Sequence, residues 1–194
     1  QFGQVSRPGD IKYKDLNHDG VIDSNDQAPI GYNPVPEMTF SLAAGLNWKG
    51  IDFSILLQGA ARSSIYLQQD IAWDNFWGNY YEEHIGRWTP ETAATATYPR
   101  FTKAATAAHP NYYKSDYWLK DSKYLRLKNI QLGYTIPRKL LKKFGVRSLR
   151  VYANAYNLFT WDNVKKVDPE SSNNSNGQFY PQQKVINFGI NLNF

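Results

Sequence analysis

The chain has 194 residues, of which 15% are aromatic and 20% are charged, and it contains no cysteine. This length is sufficient for a hydrophobic core, so a disordered chain is not expected. The lack of cysteine excludes disulfide scaffolds, cysteine-ligated zinc sites and cysteine nucleophiles. The longest uncharged, apolar-rich stretch, 53–61, is much shorter than the roughly 20 residues of a transmembrane helix. A membrane β-barrel remains possible.

The net charge of +5 reflects one part of the chain, because ten of the 22 basic residues lie between Lys120 and Arg150. No nucleic-acid-binding motif accompanies them. We therefore interpret the basic segment 138–143 as a solvated turn and predict no nucleic-acid partner.

An Asp- and Asn-rich segment, 15–26, fits the pattern of a calcium-binding loop. Gly20 is the sixth residue of the segment, where such loops turn sharply. Oxygen-bearing side chains occur at the first, third, fifth, ninth and twelfth positions. The predicted ligands are the side chains of Asp15, Asn17, Asp19, Asp23 and Asp26 and the backbone carbonyl of Val21. The large number of oxygen ligands favours calcium over magnesium, in a structural role. The alternative is an Asp19-Gly20 turn with solvated carboxylates.

Strict alternation of apolar residues with small or polar ones predicts two strands, over 39–48 and 51–60. In the first strand the apolar face runs from Phe40 to Trp48, and in the second it starts at Ile51. The short Lys49-Gly50 connection predicts that the two strands form a hairpin.

The segment that follows, 61–121, is predicted to be a long loop rich in aromatic residues. Aromatic rings stack on the apolar faces of sugars and anchor protein interfaces. We therefore predict substrate or partner contacts for Trp73, Trp77, Tyr80, Tyr81, Tyr112, Tyr113 and Trp118. The alternative is that these rings pack the loop against itself.

Three further alternating runs predict strands over 129–136, 149–156 and 186–194. The connections 49–50 and 137–147 are short, whereas 1–36, 61–121 and 160–181 are long and polar. An antiparallel meander with this alternation has all its long loops at one end, as outer-membrane barrels do. The alternative is a β-sandwich, in which the apolar face covers a shared core.

The predicted fold class is therefore all-β, an antiparallel transmembrane β-barrel segment with long extracellular loops. Residues 1–36 would form an extracellular loop that carries the calcium motif, and 37–194 the barrel strands with loops 61–121 and 160–181. Five strands cannot close a barrel across a bilayer, since known ones have at least about eight. We therefore expect the chain to share its sheet with further polypeptide.

Catalysis has little support in the sequence. The three histidines lie in predicted loops, and no pattern places a nucleophile beside a base. We therefore predict that the chain is not an enzyme. A glycoside hydrolase fragment would need two carboxylates about 5–10 Å apart across a cleft, a distance that sequence cannot show.

Several segments, in this order along the chain, resemble the C-terminal part of SusC/RagA-type TonB-dependent outer-membrane transporters. They are Gly9 to Asp15, Ile30-Gly31, Arg87 to Glu91, Tyr98 to Arg100, Asp121 to Pro137, Asn157 to Thr160 and Asp168 to Glu170. The block Asp121 to Pro137 is the most specific. The resemblance extends over nearly the whole chain.

This resemblance implies the last roughly five strands of a plugged barrel of about 22 strands. It implies a location in the outer membrane of a Gram-negative, Bacteroidetes-like bacterium and the import of oligosaccharides or peptides. The implied partners are a SusD-like surface lipoprotein, TonB acting through segments outside this chain, and the remaining barrel and plug. The competing hypothesis is a secreted, soluble β-sandwich that binds glycans and carries a dockerin-like calcium loop.

Overall fold

A computed structural model describes residues 1–103, 108–165, 167–171 and 180–194. Its strands are β1 (Met38–Trp48), β2 (Ile51–Ala61), β3 (Ser64–Tyr66), β4 (Leu119–Asp121), β5 (Tyr124–Thr135), β6 (Ser148–Asp162) and β7 (Val185–Asn193). The one α-helix in these ranges is α1 (Arg138–Leu141), and 3-10 helices span Gln69–Ile71, Glu82–Gly86, Pro110–Tyr112 and Lys142–Phe144. Within the described ranges, every helix is too short or too polar to cross a bilayer.

The long strands form one antiparallel sheet in the order β1-β2-β5-β6-β7. Each strand pairs with the next long strand along the chain, so the predicted meander and all five predicted strands are confirmed. The β1–β2 hairpin turns at Lys49 and Gly50, both of which have positive φ. The segment predicted to be a loop between β2 and β5 also contains a small sheet of β3 and β4, which the sequence analysis did not predict.

A one-residue bulge in β5 explains why this strand is longer than predicted. In the ladder between β2 and β5, Leu57 pairs with Leu127 and Leu56 pairs with Asn129, so Lys128 has no opposite residue. An extra residue reverses the alternation of side chains between the two faces. Leu125 and Leu127 therefore share a face with Ile130 and Leu132, although one pair has odd numbers and the other even. Strict alternation in the sequence therefore extends only from Asn129 onward, and the strand residues before the bulge were not predicted.

Strand β6 likewise continues past the predicted end at residue 156. Asn157 has a φ of 51°, in the left-handed region that asparagine tolerates better than most residues. The ladder with β5 shifts here, because Tyr156 pairs with Asn129 and Phe159 with Leu127. The six residues beyond Tyr156 extend β6 to Asp162.

The chain forms two compact units that are interleaved along the sequence. One contains Gln1–Tyr32 and Ile65–Lys120, and its core is made mainly of buried aromatic side chains. The other contains Asn33–Ser64, Asp121–Glu170 and Tyr180–Phe194, and it includes the five-stranded sheet. Because many apolar side chains of this sheet are exposed, the sheet unit lacks the closed core of a globular domain.

Candidate functional site

One face of the five-stranded sheet is apolar across every strand. The register places Leu46, Phe53, Leu132, Ala153 and Phe188 in one row. Three of these side chains are strongly exposed, Leu46 by 61%, Leu132 by 56% and Phe188 by 83%. A continuous exposed apolar surface marks contact with a membrane or with another protein.

Aromatic residues lie at both ends of this apolar face. At the end with the short turns, Trp48 aligns with Ile51, Tyr134 and Val151, and the Lys49 ammonium lies 5.0 Å from the Trp48 ring centroid. At the opposite end, the rings of Phe159 and Trp161 stack with centroids 6.2 Å apart. Trp and Tyr suit a membrane interface because each ring has an apolar body and a polar edge.

The distance between the two aromatic ends suits a bilayer. Along β2, Ile51 lies in the row of Trp48 and Gly59 lies in the row of Trp161. The distance from Ile51 to Gly59 is roughly 26 Å at about 3.3 Å per residue. A tilt of about 40° would reduce this length to roughly 20 Å, close to the apolar band of about 25 Å on outer-membrane barrels.

The opposite face of the sheet is polar and mostly uncharged. Ser54, Gln131, Asn154 and Asn187 share one row, and the Asn187 amide Nδ2 donates to Asn154 Oδ1 over 3.0 Å. This alternation of apolar and polar faces agrees with the pattern read from the sequence.

A salt bridge crosses this polar face above a glycine. Arg150 Nε donates to Asp52 Oδ1 over 2.8 Å, and Gly133 lies directly opposite Asp52 in the β2–β5 ladder. A Cβ atom at position 133 would approach Arg150 Nη2 and Asp52 Oδ1 to 2.5 Å. Glycine at position 133 therefore leaves room for the ion pair to span β5.

A buried arginine forms the strongest ionic cluster of the sheet unit. The Arg126 side chain is 1% exposed; its Nη2 lies 2.8 Å from both Asp168 oxygens, and its Nη1 lies 2.6 Å from Glu170 Oε2. Arg126 Nε also donates to Thr160 Oγ1 over 3.1 Å. The Tyr124 hydroxyl donates to Glu170 Oε1 over 2.6 Å. This cluster joins β5 to the segment that follows β6.

Both sides of this cluster lie in segments that carry the resemblance, but no contact between them was predicted. Arg126 belongs to the block Asp121 to Pro137, and Asp168 to Glu170 was a separate segment of the resemblance. The sequence did contain one indication of such a cluster, namely a single arginine between Leu125 and Leu127. A charged side chain on a half-buried strand needs an ionic or hydrogen-bonding partner. The identity of the partner depends on how the chain folds back, which sequence spacing does not reveal.

The predicted calcium loop is exposed and folded around backbone hydrogen bonds. Asp15 Oδ2 accepts from Gly20 N over 2.9 Å, and Asp19 Oδ1 accepts from Val21 N over 2.8 Å. Asp26 Oδ1 accepts from Leu16 N over 2.7 Å and Asp26 Oδ2 from Asp23 N over 2.9 Å, which closes the loop. These bonds, led by the one from Asp23, hold the pKa of Asp26 below its ordinary value.

The other two predicted ligands lie in the same loop. Asn17 Oδ1 accepts from Asp19 N over 3.0 Å, and Asp23 Oδ1 accepts from Asn25 N over 2.7 Å. In the described part of the chain, no three His, Cys, Asp or Glu side chains converge as a metal cluster. The calcium assignment therefore stays a prediction.

Three of the seven predicted contact aromatics are buried. Trp73, Tyr112 and Trp118 are each at most 3% exposed, and the Trp118 indole Nε1 donates to the carbonyl of Asn111 over 2.8 Å. Tyr112 also donates to the carboxylate of Asp74, which is itself 1% exposed. Burial, and then the hydrogen bond to Asp74, raises the pKa of Tyr112. These rings form the core of the loop, as the alternative reading of the aromatics proposed.

The remaining predicted contact residues are more accessible. Trp77 is 83% exposed, Tyr80 55% and Tyr81 40%. Trp77 has a φ of 53° and the next residue, Gly78, a φ of 77°, so a tight turn presents this indole. Tyr113 is half-buried, with its ring 4.8 Å from that of Phe2. No site residue was predicted at Phe2, Asp74 or Arg126.

The sequence is similar to segments of TonB-dependent receptors along nearly its whole length. It is 30% identical to TonB-dependent receptor P26 of Formosa agariphila, over 96% of the chain and 20% of that receptor. It is 26% identical to TonB-dependent receptor SusC of Bacteroides thetaiotaomicron, over 100% of the chain and 18% of that receptor. The chain thus spans about a fifth of the length of these relatives. No protein-family model matches it.

Solved structures of the RagAB peptide importer share this fold. The RagAB peptide importer in its open-open state matches 90% of the chain with a TM-score of 0.68, over 19% of that protein's chain and at 23% identity. A structure of the RagAB peptide transporter matches 90% of the chain with a TM-score of 0.65, at 21% identity and over 20% of that protein's chain. The structural matches confirm the predicted fold of an antiparallel barrel segment. Together with the TonB-dependent receptors, they confirm the resemblance to SusC/RagA-type transporters.

Replacing Arg126 by Met should lower the free energy of unfolding by about 1.5–3 kcal/mol, because Asp168 and Glu170 would lose their charge-assisted hydrogen bonds to the guanidinium. The matched control is Arg62→Met, since Arg62 forms an exposed ion pair of 3.5 Å with Glu37 and should contribute only about 0.2–1 kcal/mol. Urea unfolding in detergent measures both. Equal losses in the two variants would contradict the assignment of Arg126 as an anchor.

Proposed function

We propose that the chain forms a C-terminal part of the β-barrel of a SusC/RagA-type, TonB-dependent outer-membrane importer. The importer would take up oligosaccharides or peptides with a SusD-like surface lipoprotein, and TonB would act through polypeptide outside this chain. The observation that carries the proposal is the apolar sheet face, exposed across five strands and opposite a polar face. The names of the relatives support the transport role, since they are TonB-dependent receptors and a peptide importer.

The apolar face favours this proposal over the soluble sandwich. A sandwich needs a second sheet of similar size against the apolar face. In the described ranges, the second sheet consists of β3 and β4, with three residues each. In a bilayer the lipid chains would cover the face instead, and the backbone hydrogen bonds of the strands would be satisfied within a closed barrel.

In this proposal the polar face lines the barrel interior. Its amide and hydroxyl groups can form hydrogen bonds with a plug or with a polar solute, and its ion pairs, such as Asp52 with Arg150, are kept away from lipid. The short turns would face the periplasm, and the loops 1–36, 61–121 and 160–181 would face the outside. Residues 172–179 of the last loop lie outside the described residues. We propose no catalytic role for any side chain.

Arginine substitutions on neighbouring residues of one strand test the membrane assignment. Ile186 lies in the row of Ile55, Ile130 and Ala155, halfway between the two aromatic ends of the apolar face. Ile186→Arg should therefore cost about 2–4 kcal/mol, whereas Asn187→Arg, on the other face, should cost about 1 kcal/mol or less. The measurement is the free energy of unfolding of the full-length protein in phospholipid vesicles. Equal tolerance at the two positions would argue against a barrel.

We also propose that the exposed rings of Trp77, Tyr80 and Tyr81 contact the lipoprotein or the imported substrate, whereas the buried rings only support the loop. A central tryptophan in an interface commonly accounts for 2 kcal/mol or more of binding, about thirtyfold in Kd. Trp77→Ala should therefore weaken lipoprotein binding by about that factor, and Trp77→Tyr should restore most of it. Unchanged affinity in a titration of the full-length importer with its lipoprotein would exclude Trp77 from that interface.

Calcium is the proposed structural ion of loop 15–26, where it would neutralise four carboxylates. Extracellular calcium modules bind with a Kd of about 10⁻⁴–10⁻³ M. Asp19→Asn keeps the side-chain acceptor for Val21 N but removes a charge, so it should weaken calcium binding at least about tenfold, whereas Asp116→Asn, outside the loop, should not. Isothermal titration calorimetry measures both. Indistinguishable heats with and without the Asp19 charge would contradict the site.

The hydrogen bonds that close loop 15–26 also predict a pH dependence of the loop's stability, independent of calcium. The pKa of Asp26 is lowered in the folded loop, so this carboxylate stays ionised below the ordinary aspartate value of about 3.9. Its stabilising contribution is complete above that ordinary value and disappears as the pH falls through the lowered pKa of Asp26.

A further inference from the structure

The connection between β5 and β6, which the sequence analysis interpreted as a solvated turn, is a basic helical segment. The ten residues 138–147 include five basic residues and no acidic ones. Helix α1 and the 3-10 helix Lys142–Phe144 form most of the segment, and the helical part stops at Gly145, which has a φ of 68°. The five cations are Arg138, Lys139, Lys142, Lys143 and Arg147.

None of these five cations forms an ion pair with any acidic group in the described ranges. Other basic residues of the sheet unit do have partners, as Arg62, Lys123, Arg126 and Arg150 show. The segment is therefore a concentration of positive charge that the described part of the chain does not neutralise.

Two large apolar side chains stand among these cations and are exposed. Leu140 is 65% exposed and Phe144 is 76% exposed. Leu140 belongs to α1, and Phe144 is the last residue of the 3-10 helix that follows it. Leu141 is 6% exposed and so faces the protein. A solvated turn would not be expected to present both Leu140 and Phe144 to water.

The segment lies at the end of the apolar sheet face. The segment begins directly after Pro137, and Pro137 is three residues past Tyr134. Just before the segment, Ile136 N donates to the Leu149 carbonyl over 2.9 Å, which links the ends of β5 and β6. Thr135 N donates to the Gly50 carbonyl over 2.7 Å, so the β1–β2 turn with Trp48 and Lys49 is adjacent. The exposed apolar residues and the cations thus continue the row of interfacial aromatics.

We propose that residues 138–147 are an interfacial anchor that binds anionic phospholipid headgroups at the short-turn side of the bilayer. Leu140 and Phe144 enter the boundary between headgroups and acyl chains, and the five cations contact lipid phosphates. The inference rests on the proposed function, because it requires the apolar face to lie in a membrane. It adds a defined lipid chemistry at one end of that face.

Single nitroxide labels in the full-length protein test the anchor. The labels replace Phe144, Ile190 and Lys14 after Cys substitution in a cysteine-free background, and the protein is reconstituted into vesicles of equal parts phosphatidylcholine and phosphatidylglycerol. Collision rates with oxygen and with a water-soluble nickel complex report depth. We expect the labels at 144 and 190 to favour oxygen and the label at the exposed Lys14 to favour nickel.

The label at Ile190 separates the two ways in which the inference could fail. A label at 144 as accessible to nickel as the label at Lys14, with the label at 190 still in lipid, overturns the anchor and leaves the membrane proposal standing. Labels at both 144 and 190 that favour nickel overturn the membrane proposal and the anchor with it.

Charge variants test the lipid chemistry. Exchanging Lys139, Lys142 and Lys143 for Gln should reduce the enrichment of phosphatidylglycerol over phosphatidylcholine around the purified protein by at least roughly fivefold, the effect of one cation near a bilayer surface. The control exchanges the exposed Lys12, Lys14 and Lys114 for Gln, which removes the same charge elsewhere and should leave the enrichment unchanged. Equal enrichment in both triple variants would overturn the anionic-lipid assignment.

Discussion

The structure depends on keeping one face of the five-stranded sheet apolar through every change of register. Successive side chains of a strand point to opposite faces, so a slip of one residue would exchange the faces of the whole strand. The bulge at Lys128 illustrates the constraint. Its extra residue places Leu125 and Leu127 beside Ile130 and Leu132, and it leaves Arg126 on the polar face, where Thr160 and Asp168 can reach it.

The charges of the sheet unit follow the same division. Asp52 and Arg150 pair on the polar face, and Gly133 leaves room for them. Arg126 is buried and pairs with two partly exposed carboxylates, which compensates the cost of removing its charge from water. The basic segment 138–147 differs, because its cations have no acidic partner in the described chain and occur where a bilayer would offer phosphates. Charge placement therefore separates the interior, the lipid face and the membrane surface.

The long loop combines two kinds of aromatic residue that composition cannot distinguish. Trp73, Tyr112 and Trp118 are buried, and the Tyr112 hydroxyl donates to the buried carboxylate of Asp74, so the loop has a core of its own. Trp77 stands on a turn with positive φ and is exposed. The loop therefore has a packed interior and presents a few aromatic rings at its surface.

The five strands, their meander order, the two faces and the resemblance to SusC/RagA-type transporters could all be predicted from the sequence, because alternation is a local property and short turns restrict pairing to neighbours. The sequence could not locate the full ends of β5 and β6, since the bulge at Lys128 and the left-handed Asn157 interrupt strict alternation. Only the tertiary structure decided which aromatic residues are buried and that Arg126 meets Asp168 and Glu170, more than 40 residues away. Such contacts depend on how distant segments return to one another, and no local pattern records that path.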